Sequence, residues 1–376
     1  MINANKFIDT LLKENIQFYT GVPDSYLNGV CNCLLERISK EKHIIAANEG
    51  NAVGIAAGYY LATQKPPLVY MQNSGMGNAL NPLLSLADKD VYHIPMILLI
   101  GWRGEPGTDD HPQHKKQGEI TLKLLEDLNI PYIIAEDDDE KFQQQLLQII
   151  TTMKTTHLPV AIVGRKGIFA ETDKKNIVDS TYPMSREDAI RTILDTMPKE
   201  TIYIATTGRA TRELYFERER RGESHEYDFL NVGSMGHASS VALGIALSKQ
   251  DRYVVCLDGD SAAMMHMGAF TMASKYNVPN LIHIILNNGA HESVGGQPSA
   301  GHLVDFTKIA VACGYNTPGH SIESEDQLKK SLKDMQSSDK TSFLDVRIHK
   351  GLSRKLPPLD ICPYNLSKEL ISNLNK

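Results

Sequence analysis

The feature that most constrains the fold is a repeated alternation of short apolar segments with longer helical ones. In the first half of the chain, β-branched runs alternate with amphipathic or small-residue segments. The runs between residues 67 and 163 are apolar throughout, which is typical of parallel strands buried on both faces of a sheet. The strands predicted in this half are residues 17–20, 43–46, 67–71, 95–100, 132–135 and 160–163, and the clearest helices are residues 49–63, 115–128 and 139–153.

This alternation is interrupted once, by a polar segment with a proline near its end. We interpret residues 171–184 as a linker, because Ser185 and Asp188 then form the Ser-x-x-acid pattern of a helix N-terminus. A second series of strands follows at residues 201–205, 253–257, 281–286 and 343–348. The predicted fold class is α/β, with two doubly wound, mostly parallel sheets. Residues 1–170 form the first domain and residues 185–376 the second.

Composition limits the classes of function. The 376 residues include 39 Lys and Arg against 45 Asp and Glu, so no basic excess predicts a nucleic acid partner. The five cysteines form no paired metal motif, and reduced thiols favour a cytoplasmic protein. Charges at Lys6, Asp9 and Lys13 interrupt any signal-peptide core. The most apolar run, residues 94–102, is less than half of the roughly 20 residues that span a membrane.

The most specific motif lies at the ends of two predicted strands in the second domain. Gly-Asp-Ser at residues 259–261 follows one strand, Asn-Asn at residues 287–288 follows the next, and 25 residues separate them. One helix and one strand fill that distance, which brings both loops to the same edge of a parallel sheet. Asp260, Asn288 and the backbone carbonyl of Ala290 then offer oxygen ligands to a hard cation such as Mg²⁺. The alternative is two ordinary turns, since Asp, Asn and Gly dominate turns.

A candidate catalytic carboxylate follows a strand of the first domain. Glu49 begins the helix that comes after residues 43–46, although a first-turn glutamate can also simply favour the helix dipole. The same helix carries Gly50, Gly54 and Gly58, and a helical glycine costs about 1 kcal/mol relative to alanine. These glycines predict close packing against another helix, either across a subunit interface or within one domain.

Together these motifs resemble those of the thiamin diphosphate-dependent 2-oxo acid decarboxylases. The family signature is Gly-Asp-Gly, followed one βα unit later by Asn-Asn; here Ser261 replaces the second glycine. The resemblance implies that Asp260, Asn288 and the Ala290 carbonyl bind Mg²⁺, which holds the cofactor diphosphate. It also implies that Glu49 shares a proton with the cofactor's pyrimidine ring. A pyrimidine-type domain followed by a diphosphate-type domain accounts for the whole chain, without the middle domain of larger relatives.

The resemblance assigns further residues to the cofactor. Met235 matches the large apolar side chain that bends the cofactor, and Gly233 matches the carbonyl that receives its amino group. An ordinary core methionine is the alternative for Met235. The remaining residues expected at the cofactor are Asn73, Gly75, Thr207, Gly208, Gly259 and Ser261.

Longer matches resemble the phosphonopyruvate decarboxylase group within that family. They lie at residues 21–25, 73–78, 81–82, 110–114 and 287–297. The resemblance implies decarboxylation of 3-phosphonopyruvate to phosphonoacetaldehyde and CO₂ by a homo-oligomer with active sites at the subunit interface. Sulfopyruvate decarboxylases are similar but typically divide the two domains between separate subunits, so we expect a single chain to favour the phosphonate enzyme. Another thiamin diphosphate-dependent decarboxylase or carboligase remains an alternative.

The same resemblance suggests catalytic and substrate-binding residues. Asp24 is a candidate for proton transfer or substrate orientation, and His111 and His114 follow the strand after which related decarboxylases place catalytic histidines. Solvated loop histidines are the alternative. A phosphonate needs cations or backbone donors, and the proton donor and the phosphonate contacts stay open at this point. The candidates for the phosphonate are Arg103, His291, Arg354, Lys355, Ser25 and the glycines at residues 295 and 296.

Overall fold

The structure is a computed structural model, and it describes residues 1–170, 181–351, 356–357, 359 and 362–375. The chain divides into two compact units. The first comprises Met1–Lys175 with Val294–Gln297, and the second comprises Asn176–Ser293 with Pro298–Lys376. The division falls inside the predicted linker, of which residues 171–180 lie outside the described residues.

The first unit is built on a six-stranded sheet with the strand order β2-β1-β3-β4-β6-β5, and all of its pairings are parallel. Its strands are β1 (Tyr19–Gly21), β2 (His43–Ile45), β3 (Leu68–Gln72), β4 (Ile97–Gly101), β5 (Tyr132–Ile134) and β6 (Val160–Gly164). Its helices are α1 (Ala4–Lys13), α2 (Asn28–Arg37), α3 (Glu49–Thr63), α4 (Met76–Pro82), α5 (Pro112–Asp127) and α6 (Asp139–Thr156). Single helical turns occupy Ser25–Leu27, Asn73–Gly75 and Leu83–Ala87.

Strand β4 shows why continuous apolar runs are needed here. All five of its residues are buried. Ile97 and Leu99 pack into the core layer under α1, α2 and α6, whereas Leu98 and Ile100 pack into the layer under α3 and α4. Successive side chains of a strand point to opposite faces, so a strand covered on both faces needs an apolar residue at every position. The predicted parallel sheet of the first domain is therefore confirmed.

The second unit contains a five-stranded parallel sheet with the strand order β13-β10-β9-β7-β8. Its strands are β7 (Ile202–Ala205), β8 (Asp228–Leu230), β9 (Val254–Gly259), β10 (Leu281–Asn287) and β13 (Ser342–Arg347), and the short strands β11 (Ala290–His291) and β12 (Gln297–Pro298) follow β10 in the chain. The helices are α7 (Arg186–Thr196), α8 (Arg209–Arg221), α9 (Ala238–Ser248), α10 (Asp260–Met265), α11 (Ala269–Tyr276), α12 (Phe306–Ala312), α13 (Glu325–Met335) and α14 (Pro363–Leu374).

Helix α7 begins as the sequence predicted. Ser185 Oγ accepts a hydrogen bond from the Asp188 backbone N–H at 3.0 Å, and the Asp188 carboxylate accepts one from the Ser185 N–H at 3.1 Å. This reciprocal capping satisfies two of the backbone donors that a helix start leaves without intrahelical partners. Among the described residues, no helix has the length and apolar character needed to cross a membrane.

In each sheet the first strand along the chain has the second strand on one side and the third strand on the other. In the first unit β1 lies between β2 and β3, and in the second unit β7 lies between β8 and β9. In open parallel sheets, ligands bind beyond the carboxyl ends of the strands at such a reversal point. In the first unit this edge carries the segments after β1 and β3, and in the second unit the segments after β7 and β9.

Candidate functional site

The Asp260 motif lies where β9 ends and α10 begins, at the carboxyl edge of the second sheet. The register of β9 and β10 pairs Gly259 with Leu286, so Asp260 and Asn287 lie at the same edge. Helix α10 also contacts β11, which begins at Ala290. The two halves of the motif are therefore neighbours in the fold, as their spacing predicted.

Asp260 is a buried carboxylate, 2% exposed, and forms no ion pair with a basic side chain in the described parts of the chain. Burial raises the pKa of Asp260 to about 6, because the charged form has lost its water, and its hydrogen bonds and the attraction of Arg186 only partly offset that loss. Ser299 Oγ donates a hydrogen bond to its carboxylate. A Cβ on Gly301 would collide with the side-chain oxygens of Asp260 and Asn287. The carboxylate of Asp260 and the amide oxygen of Asn287 therefore lie close together beside Gly301, and oxygen ligands of these types suit a hard divalent cation.

Asn288 and Ala290 form a tight turn directly after β10. Gly289 between them has a φ of 65°, in the left-handed region that favours glycine. The Asn288 amide oxygen accepts a hydrogen bond from the Ala290 N–H at 3.2 Å, and its Nδ2 donates to Glu292 Oε2 at 2.9 Å. Because an amide oxygen has two lone pairs, one acceptor site of Asn288 is still available to a ligand.

Two buried hydroxyl groups lie at the ends of β7 and β9. Thr206 Oγ1 and Ser261 Oγ have no hydrogen-bond partner within the described residues. Thr207 follows, half-buried, and Gly208 has a φ of 101° at the start of α8. A Cβ on Gly259 would meet nothing closer than Thr206 Cγ2 at 4.0 Å. An anionic oxygen would satisfy both hydroxyls, so these residues fit the diphosphate group that the resemblance implies.

Gly233 and Met235 lie in the loop that precedes α9. Met235 is half-buried and belongs to none of the hydrophobic cores formed by the described residues, which argues against an ordinary core methionine. Its neighbours Ser234 and Gly236 both have left-handed backbones, with φ of 48° and 89°. A Cβ on Gly236 would collide with the His266 ring. The loop is thus held in one conformation while the Met235 side chain stays outside the core.

A buried set of three side chains lies below the Asp260 loop: Cys256, Asp258 and His283 offer ligand atoms within 4.8 Å of one another. His283 Nε2 lies 3.2 Å from Asp258 Oδ2, and Asp258 Oδ1 accepts from the Gly259 N–H at 2.9 Å. A thiol ligand suits softer ions than Mg²⁺, so this set is not the expected magnesium site. Through its bond from the Gly259 N–H, the carboxylate of Asp258 instead anchors the start of the Asp260 loop.

In the first unit, Glu49 begins α3 and is buried, so it differs from an ordinary solvated first-turn glutamate. Burial raises the pKa of Glu49, while a 2.8 Å hydrogen bond from Asn78 Nδ2 to its carboxylate opposes this shift. A Cβ on Gly75 would collide with the Glu49 carboxylate, which explains the glycine at position 75. The predicted catalytic residue and a predicted cofactor residue are thus in contact.

Asp24 lies at the reversal point of the first sheet and is fully buried. Burial raises the pKa of Asp24, although Gln72 Nε2 donates to it at 2.6 Å and the Tyr26 N–H at 3.0 Å. A Cβ on Gly101 would collide with its carboxylate. Asp24 therefore connects the ends of β1, β3 and β4.

Asn73 has a structural contact that the sequence did not predict. Its Nδ2 donates to the Arg103 carbonyl and to Thr121 Oγ1, both at 2.8 Å, and its Oδ1 accepts from the Arg103 N–H at 3.2 Å. The side chain is buried among these partners. The side-chain amide of Asn73 therefore fixes the loop after β4, so a contact from Asn73 to the cofactor would have to come from its backbone.

Asp110 organises the segment that contains both candidate histidines. Its carboxylate accepts from Arg103 Nε and the Gly104 N–H at 2.8 Å, and lies 2.9 Å from His114 Nδ1. Burial opposes ionisation of Asp110, but the Arg103 and His114 hydrogen bonds hold its pKa well below the usual range. Because an ionised carboxylate only accepts, Nδ1 of His114 carries the proton, and Nε2 is left as a base. Burial also lowers the pKa of His114, which favours this neutral form.

His111 is placed differently from His114. It is exposed, and its bond to Asp110 comes from the backbone N–H, so no hydrogen bond from the described residues orients its ring nitrogens. The two rings lie 6.0 Å apart. The solvated-loop alternative therefore fits His111, whereas His114 has the fixed orientation expected of a group that transfers a proton.

The candidates for the phosphonate also separate. The Arg103 guanidinium is already bound by Asp110 and Ser25 and lies 4.6 Å from the centre of the Tyr26 ring. Burial lowers the pKa of His291 to about 4, so His291 is neutral at pH 7 and not a cation. Arg354 and Lys355 lie outside the described residues. Arg209, at the start of α8, is half-buried and has no hydrogen-bond or ion-pair partner within the described parts of the chain.

Several contacts of the site carry no recognisable signal in the sequence. Gly301 and Ser299 approach Asp260 from about forty residues further along the chain. Asp110 and Glu292 lie inside the matched segments 110–114 and 287–297, but nothing in those segments predicts their partners. Their positions in matched segments were the only available indication.

Comparison with known proteins identifies the two units. The model "Thiamine pyrophosphate enzyme, N-terminal TPP binding domain" matches residues 2–125, and "Thiamine pyrophosphate enzyme, C-terminal TPP binding domain" matches residues 207–346. Phosphonopyruvate decarboxylase of Streptomyces viridochromogenes is 30% identical over 93% of this chain and 89% of that protein. The phosphonopyruvate decarboxylase of Streptomyces hygroscopicus is 29% identical over 98% and 93%.

A third relative limits one expectation. Sulfopyruvate decarboxylase of Methanosarcina acetivorans is 27% identical over 98% of this chain and 97% of that protein. It therefore carries both domains in one chain, so a single chain does not by itself distinguish the phosphonate enzyme from the sulfonate enzyme.

Proposed function

The chain belongs to the phosphonopyruvate decarboxylase family of thiamin diphosphate-dependent carboxy-lyases, and we propose that it decarboxylates 3-phosphonopyruvate with the help of Mg²⁺. The products are phosphonoacetaldehyde and CO₂, and the aldehyde serves phosphonate biosynthesis toward 2-aminoethylphosphonate. The observation that carries the proposal is the pair of Streptomyces relatives, 30% and 29% identical over 93% and 98% of this chain.

Sulfopyruvate is the second candidate substrate. It is favoured by the relative from Methanosarcina acetivorans, which matches 98% of this chain at 27% identity. The two substrates share the 2-oxo acid and differ in the anionic group, since a phosphonate carries up to two negative charges and a sulfonate only one. Discrimination therefore depends on the charge and hydrogen-bond donors around that group.

When bound, thiamin diphosphate supplies the electron sink for the carbon–carbon bond that breaks. For the metal, the proposal assigns Asp260, Asn288 and the carbonyl of Ala290. The burial of the Asp260 carboxylate, which forms no ion pair among the described residues, supports that assignment because such a group favours a nearby cation. For the cofactor, the proposal assigns two further groups of residues. The first contacts the diphosphate and comprises Thr206, Thr207, Gly208, Gly259 and Ser261. The second contacts the pyrimidine and the bend of the cofactor and comprises Glu49, Asn73, Gly75, Gly233 and Met235.

Glu49 is proposed to hold the proton that is shared with the pyrimidine ring. Its burial raises the pKa of Glu49 and so favours the protonated carboxyl group at higher pH than in water. The hydrogen bond from Asn78 fixes one oxygen of this group, which leaves the other oxygen for the ring. Proton sharing of this kind needs both the correct pKa and a fixed orientation.

His114 and Asp24 are proposed to handle the proton that replaces CO₂ on the product, with His111 as the exposed third candidate. Nε2 of His114 is a base in the orientation that Asp110 imposes, so it takes a proton from water before passing it on. Burial raises the pKa of Asp24 and favours its protonated form. For the anionic group of the substrate, we propose Arg209 in place of Arg103 and His291.

We further propose a cytoplasmic homo-oligomer with active sites at the subunit interface. On α3, a Cβ on Gly54 or Gly58 would meet nothing within 4 Å, whereas one on Gly50 would collide with the Asn78 carbonyl. Gly54 also lines a groove of about 540 Å³ together with Ile44 and Ile55. Two bare helical glycines beside an apolar groove support close approach of a second subunit. The free cysteines of the described chain support a reducing compartment.

One substrate comparison tests the proposal. The purified protein, supplied with Mg²⁺ and thiamin diphosphate, should release CO₂ and the aldehyde from phosphonopyruvate with a higher kcat/KM than from sulfopyruvate or pyruvate. Preference for sulfopyruvate would establish the second candidate. Conversion of pyruvate into acetolactate without aldehyde release would instead identify a carboligase. An Arg209→Gln variant should raise KM for the 2-oxo acid while its affinity for the cofactor is kept.

A further inference from the structure

Behind Asn288 lies a buried group of charges centred on Arg186, which is 8% exposed. Its Nη1 forms an ion pair with Glu213 at 2.9 Å, and its Nη2 forms one with Glu292 at 2.6 Å. Glu292 makes two further contacts, since it accepts from Asn288 Nδ2 at 2.9 Å and from the Gly351 N–H at 2.6 Å. The two carboxylates share one arginine, but only Glu292 touches Asn288.

The chemistry of this contact determines whether the NH₂ group or the oxygen of the Asn288 amide faces Glu292. A carboxylate paired with arginine only accepts hydrogen bonds, so the NH₂ group of Asn288 must face Glu292. If the amide turned over, two acceptors would face each other in a buried place. The amide oxygen is therefore fixed on the opposite side, where the Ala290 N–H occupies one of its lone pairs.

A divalent cation binds an amide only through its oxygen. We propose that Glu292, held in place by Arg186, is a positioning residue that presents the Asn288 oxygen to the divalent cation. This inference rests on the proposed function, because it takes Asn288 as a cation ligand. It adds to that function a residue that touches neither cation nor substrate and acts only through Asn288. Groups that orient metal ligands in this way typically contribute 10–100-fold in metal affinity.

The chain offers a matched control for this role. Glu213 and Glu292 pair with the same guanidinium, so Glu213→Gln and Glu292→Gln each remove one charge from Arg186. Only Glu292→Gln also removes the obligatory acceptor beside Asn288, because a glutamine can present its own NH₂ group there. We expect Glu292→Gln to weaken cation binding by roughly 10–100-fold and Glu213→Gln to leave it nearly unchanged.

A second variant tests orientation itself. In Asn288→Asp both side-chain atoms are oxygens, so turning the group over changes nothing. In the Asn288→Asp background the change Glu292→Gln should therefore cost no cation affinity, because glutamine can donate to one oxygen while the other faces the cation. A merely structural role of Glu292 would predict the same loss in both backgrounds.

Cation affinity is measured on the full-length protein saturated with thiamin diphosphate. Mg²⁺ binding is followed by titration calorimetry, and Mn²⁺ binding is followed by the electron paramagnetic resonance signal of the free ion. No turnover is required. Wild-type affinity in Glu292→Gln, equal losses from Glu292→Gln and Glu213→Gln, or an equal loss from Glu292→Gln in the Asn288→Asp background would each overturn the proposal. If Glu292→Gln does not fold, the double variant compared with Asn288→Asp decides the question, since the double variant should bind the cation at least as tightly. Failure of wild-type protein to decarboxylate phosphonopyruvate while these affinities follow the expected order would refute only the proposed substrate.

Discussion

Replacing Asp260 with asparagine should stabilise the cation-free protein, although Asp260 is the proposed cation ligand. Burial raises the pKa of Asp260 from 3.8 to about 6, so at neutral pH the fold contains a charge that it does not compensate. A shift of about two pKa units corresponds to roughly 3 kcal/mol of unfolding free energy. Asparagine keeps the shape and an acceptor for Ser299, and it carries no charge.

The pH dependence follows from the sign of this shift. Between the ordinary pKa of 3.8 and the folded pKa of about 6, the folded chain binds more protons than the unfolded chain. Stability of the wild-type protein therefore falls as the pH rises through this interval. The Asp260→Asn variant lacks the group, so its advantage should be small near pH ~4 and complete above pH ~7.

Urea unfolding of the cation- and cofactor-free protein, followed by circular dichroism at several pH values, measures the effect. The exposed Asp251 supplies the control, since Asp251→Asn should show no such pH dependence. Adding Mg²⁺ and cofactor should reverse the order, because wild-type protein gains about 4.1 kcal/mol at one thousand times the dissociation constant, which exceeds the roughly 3 kcal/mol advantage of the variant, and the variant gains little. A variant less stable than wild type at neutral pH without ligand, or a difference independent of pH, would refute the reasoning.

Three further changes have definite expected results. Glu49→Gln should keep cofactor affinity by calorimetry and lose most turnover, because glutamine cannot share the proton; near-normal kcat would contradict the assigned role. His114→Ala should slow turnover by roughly 10²–10⁴-fold, as general acid–base groups do, whereas His111→Ala should change kcat little; equal effects in steady-state kinetics would show that orientation by Asp110 is irrelevant. Gly301→Ala should weaken Mg²⁺ binding by displacing the Asp260 carboxylate, and it should also lower the melting temperature because the added carbon lies 2.8 Å from Asp260 Cβ; unaltered titration curves would argue against a cation beside residue 301.

Most strands of the two sheets were predictable, and the clearest of them were the central strands, because burial on two faces demands apolar residues at every position. Strand β8 was missed for the opposite reason. It has three residues, and its Asp228 is buried because Arg218 pairs with it at 2.9 Å. Because the charge of Asp228 is neutralised by a side chain from another element, the sequence around β8 shows no apolar strand pattern. Helix α5 was predicted three residues too late, because Pro112 is compatible with the first turn of a helix and does not end one.

The candidate site was predictable where a residue type and a strand end coincide. Asp260, Asn288 and Glu49 all lie at such ends, and parallel topology brings the first two to one edge. Partners set by tertiary packing were not predictable. Arg103 was one candidate for the anion, but Asp110 and Ser25 occupy its guanidinium. His291 was another candidate, and burial makes it neutral.

Three buried carboxylates of this protein share one arrangement, in which each lies against a glycine whose Cβ would strike it. The pairs are Gly75 with Glu49, Gly101 with Asp24 and Gly301 with Asp260. At Gly75 and Gly101 the closest atoms belong to the carboxylate side chains, so a larger residue displaces the carboxylate first, whereas at Gly301 the Asp260 Cβ also lies 2.8 Å from the added carbon and moves only with the backbone. In a saturation library all three positions should therefore give variants with reduced activity. A search for altered substrate range should therefore keep them fixed and place its diversity elsewhere.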